Sequence, residues 1–109
     1  MEICDYFSFD SDHPSLSGHF PGDPVVPGSL LLEKVLHALE SLTADRQAHF
    51  VVVSRVKFIG FVRPEQEVEV RFVWTEMSGR WRFECSCDGE KKVEGELELS
   101  TERHSELTL

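Results

Sequence analysis

His19 and Glu33 are the two residues of this sequence best suited to acid–base chemistry. They bracket the stretch Gly18-His-Phe-Pro-Gly-Asp-Pro-Val-Val-Pro-Gly-Ser-Leu-Leu-Leu-Glu33, sixteen residues that hold three prolines and three glycines. Histidine titrates near neutral pH and can accept a proton. A glutamic acid in apolar surroundings keeps its proton to higher pH and can donate it. Pro21, Pro24 and Pro27 remove backbone donors and fix φ, so the first half of the stretch cannot be helical. They also push Phe20, Asp23 and Val26 toward extended conformations. The result is a stiff loop that holds His19 in place. Beyond it, Ser29-Leu-Leu-Leu-Glu-Lys-Val-Leu-His-Ala-Leu-Glu-Ser-Leu42 has strong helix-forming composition, opened by Gly28 or Ser29 as N-cap. Glu33 falls one turn into that helix. A helix start offers free backbone N–H groups and favours negative charge. A base, an acid and such donors suit proton abstraction beside a carbonyl, whose developing oxyanion needs donors aimed at it.

The elements that must position this stretch follow from the rest of the pattern. Ile3 to Asp10 alternates loosely and predicts a first strand. Ser11 to Gly18 is loop; His13 lies in it, beside Pro14, as a surface histidine. The helix runs from Ser29 to Thr43. Leu30, Leu31, Leu32, Val35, Leu36, Ala38, Leu39 and Leu42 leave little room for a polar face, which predicts burial on most sides. Four further strands follow. His49 to Val62 is long for one strand, with a bend or bulge expected at Gly60. Glu67 to Thr75 alternates, with Val68, Val70, Phe72 and Trp74 on one face. Arg80 to Asp88 alternates again, with Trp81, Phe83, Cys85 and Cys87 together. Asp88-Gly89 is a hairpin signal. Glu90 to Ser100 turns Val93, Leu97 and Leu99 in and Glu94, Glu96 and Glu98 out. The tail, 101–109, is polar and reads as frayed. One strand, one apolar helix and a meander of strands predict an α+β domain over 1–109, a curved antiparallel sheet wrapped around one long buried central helix. The strand His49 to Val62 would be an exposed edge, suited to pairing across a dimer.

Composition narrows the class. The chain has 109 residues, 40% of them hydrophobic, and a net charge of −9. That size supports one core. The acidic balance argues against nucleic acid as a partner. The longest apolar run is too short for a membrane span, and Met1-Glu-Ile-Cys-Asp lacks the marks of a signal peptide. Cys4, Cys85 and Cys87 form no disulfide framework, and a cytoplasmic location with reduced thiols is the simplest reading. Cys85 and Cys87 fall on one strand face and read as a buried pair rather than a redox pair. Glu33, His37 and Glu40 share a helix face, a weak metal signal, so no metal and no cofactor is expected.

The motif His19-Phe-Pro-Gly-x-Pro-x-x-Pro-Gly-x-Leu-x-x-Glu33 resembles the active-site signature of the bacterial 3-hydroxyacyl-acyl carrier protein dehydratases, a hotdog-fold family. Val56-Lys57-Phe58 followed by Arg63-Pro64 resembles that family's strand after the helix. Outside Gly18 to Glu33 the match is mostly pattern. The resemblance implies dehydration of a 3-hydroxyacyl thioester to the trans-2-enoyl thioester, in a small stand-alone member of the family, of the kind that serves fatty acid or aryl polyene and other polyketide-like pathways. His19 would take the α-proton and Glu33 would protonate the leaving 3-hydroxyl. The N–H of Gly28 would bind the thioester carbonyl, with Ser29 beside it. Phe20, Pro21 and Gly22 would shape the loop, and Pro27 would hold the helix entrance. In the family His19 and Glu33 come from different subunits, which implies a homodimer, or a heterodimer with another hotdog subunit. Partners would be an acyl carrier protein thioester or a CoA thioester.

Other readings stand beside this one. Glu33 could be a solvated helix residue, but Leu30 and Leu36 flank it, and an unpaired carboxylate buried among them would be costly without a role. His37, one turn on, could hydrogen-bond Glu33 as a supporting residue, where the family more often has a neutral amide. Carrier proteins are acidic, so docking would need a basic patch, for which Lys34, Arg46, Arg55, Lys57 and Arg63 are candidates. A thioesterase on the same fold, or a non-catalytic hotdog subunit supporting an active partner, are the alternatives to a dehydratase.

Overall fold

A computed structural model describes residues 2–12, 25–42 and 50–100 of the chain. The elements in chain order are β1 (Glu2–Phe7), α1 (Gly28–Leu42), β2 (Phe50–Phe58), β3 (Val68–Thr75), β4 (Arg80–Cys87) and β5 (Glu90–Ser100). The five strands make one antiparallel sheet in the order β1-β3-β4-β5-β2. β1 and β2 are therefore its two edges. The chain leaves one edge, passes through α1 and enters the sheet again at the other edge. That route lays the helix over one face of the sheet.

The predicted alternation holds on β3, β4 and β5 as far as Leu97, with Trp74 only partly buried; the side chain of Leu99 lies outside the described residues. Val68, Val70, Phe72, Trp81, Phe83, Cys85, Cys87, Val93 and Leu97 are all buried on the helix side. They form one core with Leu31, Val35, Ala38 and Leu39 of α1. Gly95 occupies an inward position on β5 between Val93 and Leu97. A Cβ there would meet the carbonyl oxygen of Arg55 and the ring of Phe83, so only glycine lets β2 and Phe83 approach. The β4–β5 turn is Asp88-Gly89, both at positive φ (51° and 79°), which is the left-handed pair a two-residue hairpin needs.

Three expectations need correction. β1 stops at Phe7 rather than Asp10, because Phe9 turns into the core, edge-on to Phe7 at 5.8 Å. The long strand ends at Phe58, not Val62, and its register shift lies between Val53 and Arg55. At the site expected to bend, the amides of Ile59 and Gly60 both donate to the Lys92 carbonyl (2.8 and 3.0 Å), and the chain leaves the sheet there. Third, α1 is buried along one side, not around most of its surface. Leu30, Leu32 and Leu36 are only partly covered, Leu42 is exposed, and Glu33, Lys34, His37 and Glu40 face solvent. One sheet covers one face of a helix, and the composition of α1 exceeds what this sheet alone can bury.

The outer face of the sheet is a lattice of ion pairs. Arg71 reaches Glu2 (3.5 Å) and Glu69 (3.6 Å), and Arg80 reaches Glu96 (3.6 Å) and Glu98 (3.8 Å). Lys91 lies 3.1 Å from both Glu84 and Glu94. The outward glutamates of β5 are thus solvated and paired, as their alternation suggested.

Candidate active site

The site begins at the first turn of α1. The amides of Leu30 and Leu31 both donate to the Pro27 carbonyl at 3.1 Å. Pro27 therefore occupies the N-cap position, one residue before Gly28 and two before Ser29, the residues expected there. Proline has no side-chain acceptor, so it cannot cap the amides that follow. Gly28 and Ser29 stand at the first two helical positions, and their N–H groups donate to no described residue. The helix dipole adds to the pull of these donors on a negative or polarised oxygen.

Next to this helix start is a cavity of about 390 Å³, lined by Val25, Val26, Pro27, Gly28, Leu31 and the segment Phe58 to Val62. Its wall is almost wholly aliphatic and aromatic. The polar groups it offers are backbone. Val26 is pinned there by its amide, which donates to the Val62 carbonyl at 2.8 Å. Phe58, Ile59 and Phe61 are 50%, 48% and 66% exposed, so one side of the cavity is an open apolar rim. An apolar slot bordered by the first-turn amide of Gly28 suits a hydrocarbon chain carrying one carbonyl.

The strand exit from β1 is tied to the same region. The Glu65 amide donates to the Phe9 carbonyl (2.7 Å), and the Glu65 carboxylate accepts from the amide (2.8 Å) and hydroxyl (3.0 Å) of Ser11. The Arg63 amide donates to the Gln66 side chain at 2.8 Å, closing the turn. Residues 62–65 thus hold the chain at Ser11, before residues 13–24, and at Val26, after them. Sequence reasoning missed Glu65. Its signal was weak, an acid after Arg63-Pro64 in what reads as an ordinary turn.

The sequence-predicted residues divide. Pro27, Gly28 and Ser29 come together at the helix start, two of them lining the cavity. His19, Phe20, Pro21 and Gly22 lie outside the described residues, as do His13 and Arg46. Glu33 is exposed on the solvent side of α1, about 200° around the helix from the cavity-lining Leu31. The expectation that Leu30 and Leu36 bury it is corrected: they flank it but leave it exposed. His37 is exposed too, and no hydrogen bond joins it to Glu33. Among the described residues no three His, Cys, Asp or Glu side chains converge on a possible metal position. The candidate basic residues do not form one patch. Lys34 is on the helix, whereas Arg55 and Lys57 stand opposite Glu96 and Glu94 on the sheet. Cys85 and Cys87 are both buried, and burial pushes the Cys85 thiol up to about 12, with Cys87 adding to it. Neither is poised for thiolate chemistry.

Residues 2–96 match a family model described as ApeI-like, ApeI dehydratase. The chain belongs to the ApeI-like dehydratase family. Among curated proteins, this ApeI-like chain is 27% identical over 96 residues to the 3-hydroxyacyl-[acyl-carrier-protein] dehydratase FabZ of Rhizobium rhizogenes, covering 82% of this chain and 61% of that one. It is 36% identical over 89 residues to FabZ of Latilactobacillus sakei subsp. sakei, covering 73% of this chain and 64% of that one. It thus spans a little under two thirds of the length of these relatives. Among solved structures, the dehydratase heterocomplex ApeI:P from Xenorhabdus doucetiae superposes with a TM-score of 0.73 at 24% identity, covering 90% of this chain and 86% of that chain. The fold is the hotdog fold, as the motif implied. No helix among the described residues is long and apolar enough to cross a membrane.

Proposed function

We propose that this chain dehydrates a 3-hydroxyacyl thioester, carried by an acyl carrier protein or CoA, to the trans-2-enoyl thioester. The observation that carries this reading is the apolar cavity bordered by Gly28, whose first-turn amide donates to no described residue, in a chain whose family is that of the ApeI-like dehydratases. The acyl chain lies in the cavity and the thioester carbonyl accepts from the Gly28 N–H. Polarisation of that carbonyl acidifies the proton on C2. His19 takes the proton, and electrons from the broken C–H bond form the C2–C3 double bond. The hydroxyl leaves C3 and takes a proton from Glu33, departing as water. Each step is proton transfer between the chain's own residues and substrate.

Glu33 faces solvent on α1, so its carboxyl reaches a cavity only where a second hotdog subunit covers that side of the helix. The active form is accordingly a dimer, with a second copy or with a different hotdog subunit, and each site takes His19 from one chain and Glu33 from the other. The partner also supplies the apolar surround that favours a protonated glutamic acid.

The test is the reverse reaction, hydration of a short 2-enoyl thioester followed by loss of the conjugated enoyl absorbance. Wild type is expected to hydrate it, and His19→Ala and Glu33→Gln to lose about 10²-fold or more of kcat, the range for removing one acid or base. Release of free thiol instead would assign a thioesterase. An inactive, folded chain that gains activity with a second hotdog protein, and keeps that activity in both His19→Ala and Glu33→Gln, would assign a supporting subunit.

A further inference from the structure

We propose that Phe58 is a specificity-determining residue, whose ring against Gly28 limits the bulk an acyl thioester can carry on the carbon next to its carbonyl. The inference rests on the dehydratase reading of this site. Phe58 is the last residue of β2 and pairs with Val93, which is buried in the core. Its ring is therefore on the helix side of the sheet. It is nevertheless half exposed, because it stands where the helix begins and little lies above it. A Cβ built on Gly28 would lie 2.9 Å from Cε1 and 3.0 Å from Cζ of Phe58. The ring edge thus fills the space that any other residue at position 28 would need. Both residues line the cavity.

This juxtaposition has a chemical consequence. A carbonyl oxygen held about 2.9 Å from the Gly28 nitrogen brings the carbonyl carbon, and the carbon after it, within a bond or two of the ring. An unbranched chain passes the ring as a thin ribbon. A methyl group on the carbon next to the carbonyl has to displace it. The walls behind cannot yield: Val26, Leu31 and Val62 are all buried in the packed core. Phe58 stands against Gly28 and is half exposed, so a substitution can remove this wall without opening the core.

The experiment compares hydration of 2-hexenoyl and 2-methyl-2-hexenoyl thioesters by wild type, Phe58→Leu and Phe58→Ala. Equilibrium binding of the saturated pair, hexanoyl and 2-methylhexanoyl thioester, is measured alongside, since it needs no catalysis. Wild type is expected to favour the unbranched compound. The branched-to-unbranched ratio of kcat/KM, and of affinity, should rise about tenfold or more in Phe58→Ala, the range one methyl commands against a pocket wall, and by less in Phe58→Leu. A variant that is merely less stable loses both substrates alike and leaves the ratio unmoved, which overturns the assignment. Hydration by wild type with an unchanged ratio in both variants removes the role of Phe58 and leaves the dehydratase reading standing. No hydration, but a shifted binding ratio, does the reverse. Wild type that binds neither thioester overturns both.

Discussion

Glu65 is a charged residue with a left-handed backbone, φ 69°, in the turn that ties the strand exit at Ser11 to the helix approach at Val26. A side chain in that conformation costs about 1 kcal/mol or more relative to glycine. The two hydrogen bonds its carboxylate accepts from Ser11 offset the cost. The two contributions separate by substitution. Glu65→Ala keeps the strain and loses both bonds, whereas Glu65→Gly loses the bonds and relieves the strain. Glu65→Ala is expected to be the less stable variant, by about 1 kcal/mol in urea denaturation. Equal stability would mean the turn is held by its surroundings rather than by this residue. If the turn also sets the 13–24 loop, Glu65→Ala lowers hydration activity while leaving Phe58-dependent binding in place.

Among the elements, the strands were the most legible part of the chain and the helix the least. Period-two alternation fixes which face of a strand is buried, so Val68, Val70 and Phe72, or Trp81, Phe83 and Cys85, announce the core directly. Asp88-Gly89 announces its own turn. The helix carries apolar residues on more of its surface than this sheet covers. That is why Glu33 reads as flanked by leucines in sequence and stands in solvent in the fold. The start of the helix near Pro27 was legible because proline excludes helix before it and a leucine-rich helix-forming run follows. Phe58 and Glu65 were not, because their roles depend on contacts across thirty and more than fifty residues of chain. The outer sheet face makes a pH prediction. Glu84 and Glu94 stand opposite each other on β4 and β5, and Lys91 bridges them. The hydrogen bond from Lys91, then its charge, holds the Glu94 carboxyl below its ordinary value of 4.5. A carboxylate depressed in the folded state stabilises the fold above its ordinary value, and the contribution fades as pH falls through the folded one. Lys91→Met should therefore lower Tm at neutral pH, with the gap to wild type closing as pH falls below 4.5. A gap that persists into acid would place the role of Lys91 in packing instead.

At the scale of the whole molecule, three features point outward from the chain in the same way. β2 is an edge strand, with no neighbouring strand on its outer side among the described residues. Phe58, Ile59 and Phe61 form an exposed apolar rim beside the cavity. Glu33 lies on a half-covered helix face lined by Leu30, Leu32 and Leu36. A second hotdog subunit against this side would complete the sheet, close the rim and bring Glu33 to a site. Such an arrangement makes a quantitative prediction. His19→Ala and Glu33→Gln are each inactive alone, because every site in either homodimer lacks one group. Mixed and allowed to exchange subunits, half the dimers contain one of each chain. In those, one site carries both substitutions and the other carries neither. Hydration activity should recover to about a quarter of the wild-type rate per chain. Recovery that needs subunit exchange, and is lost when the chains are cross-linked before mixing, would establish that the site is shared. No recovery under conditions of proven exchange would place His19 and Glu33 in the same chain's site, and the exposed face of α1 would then need another explanation.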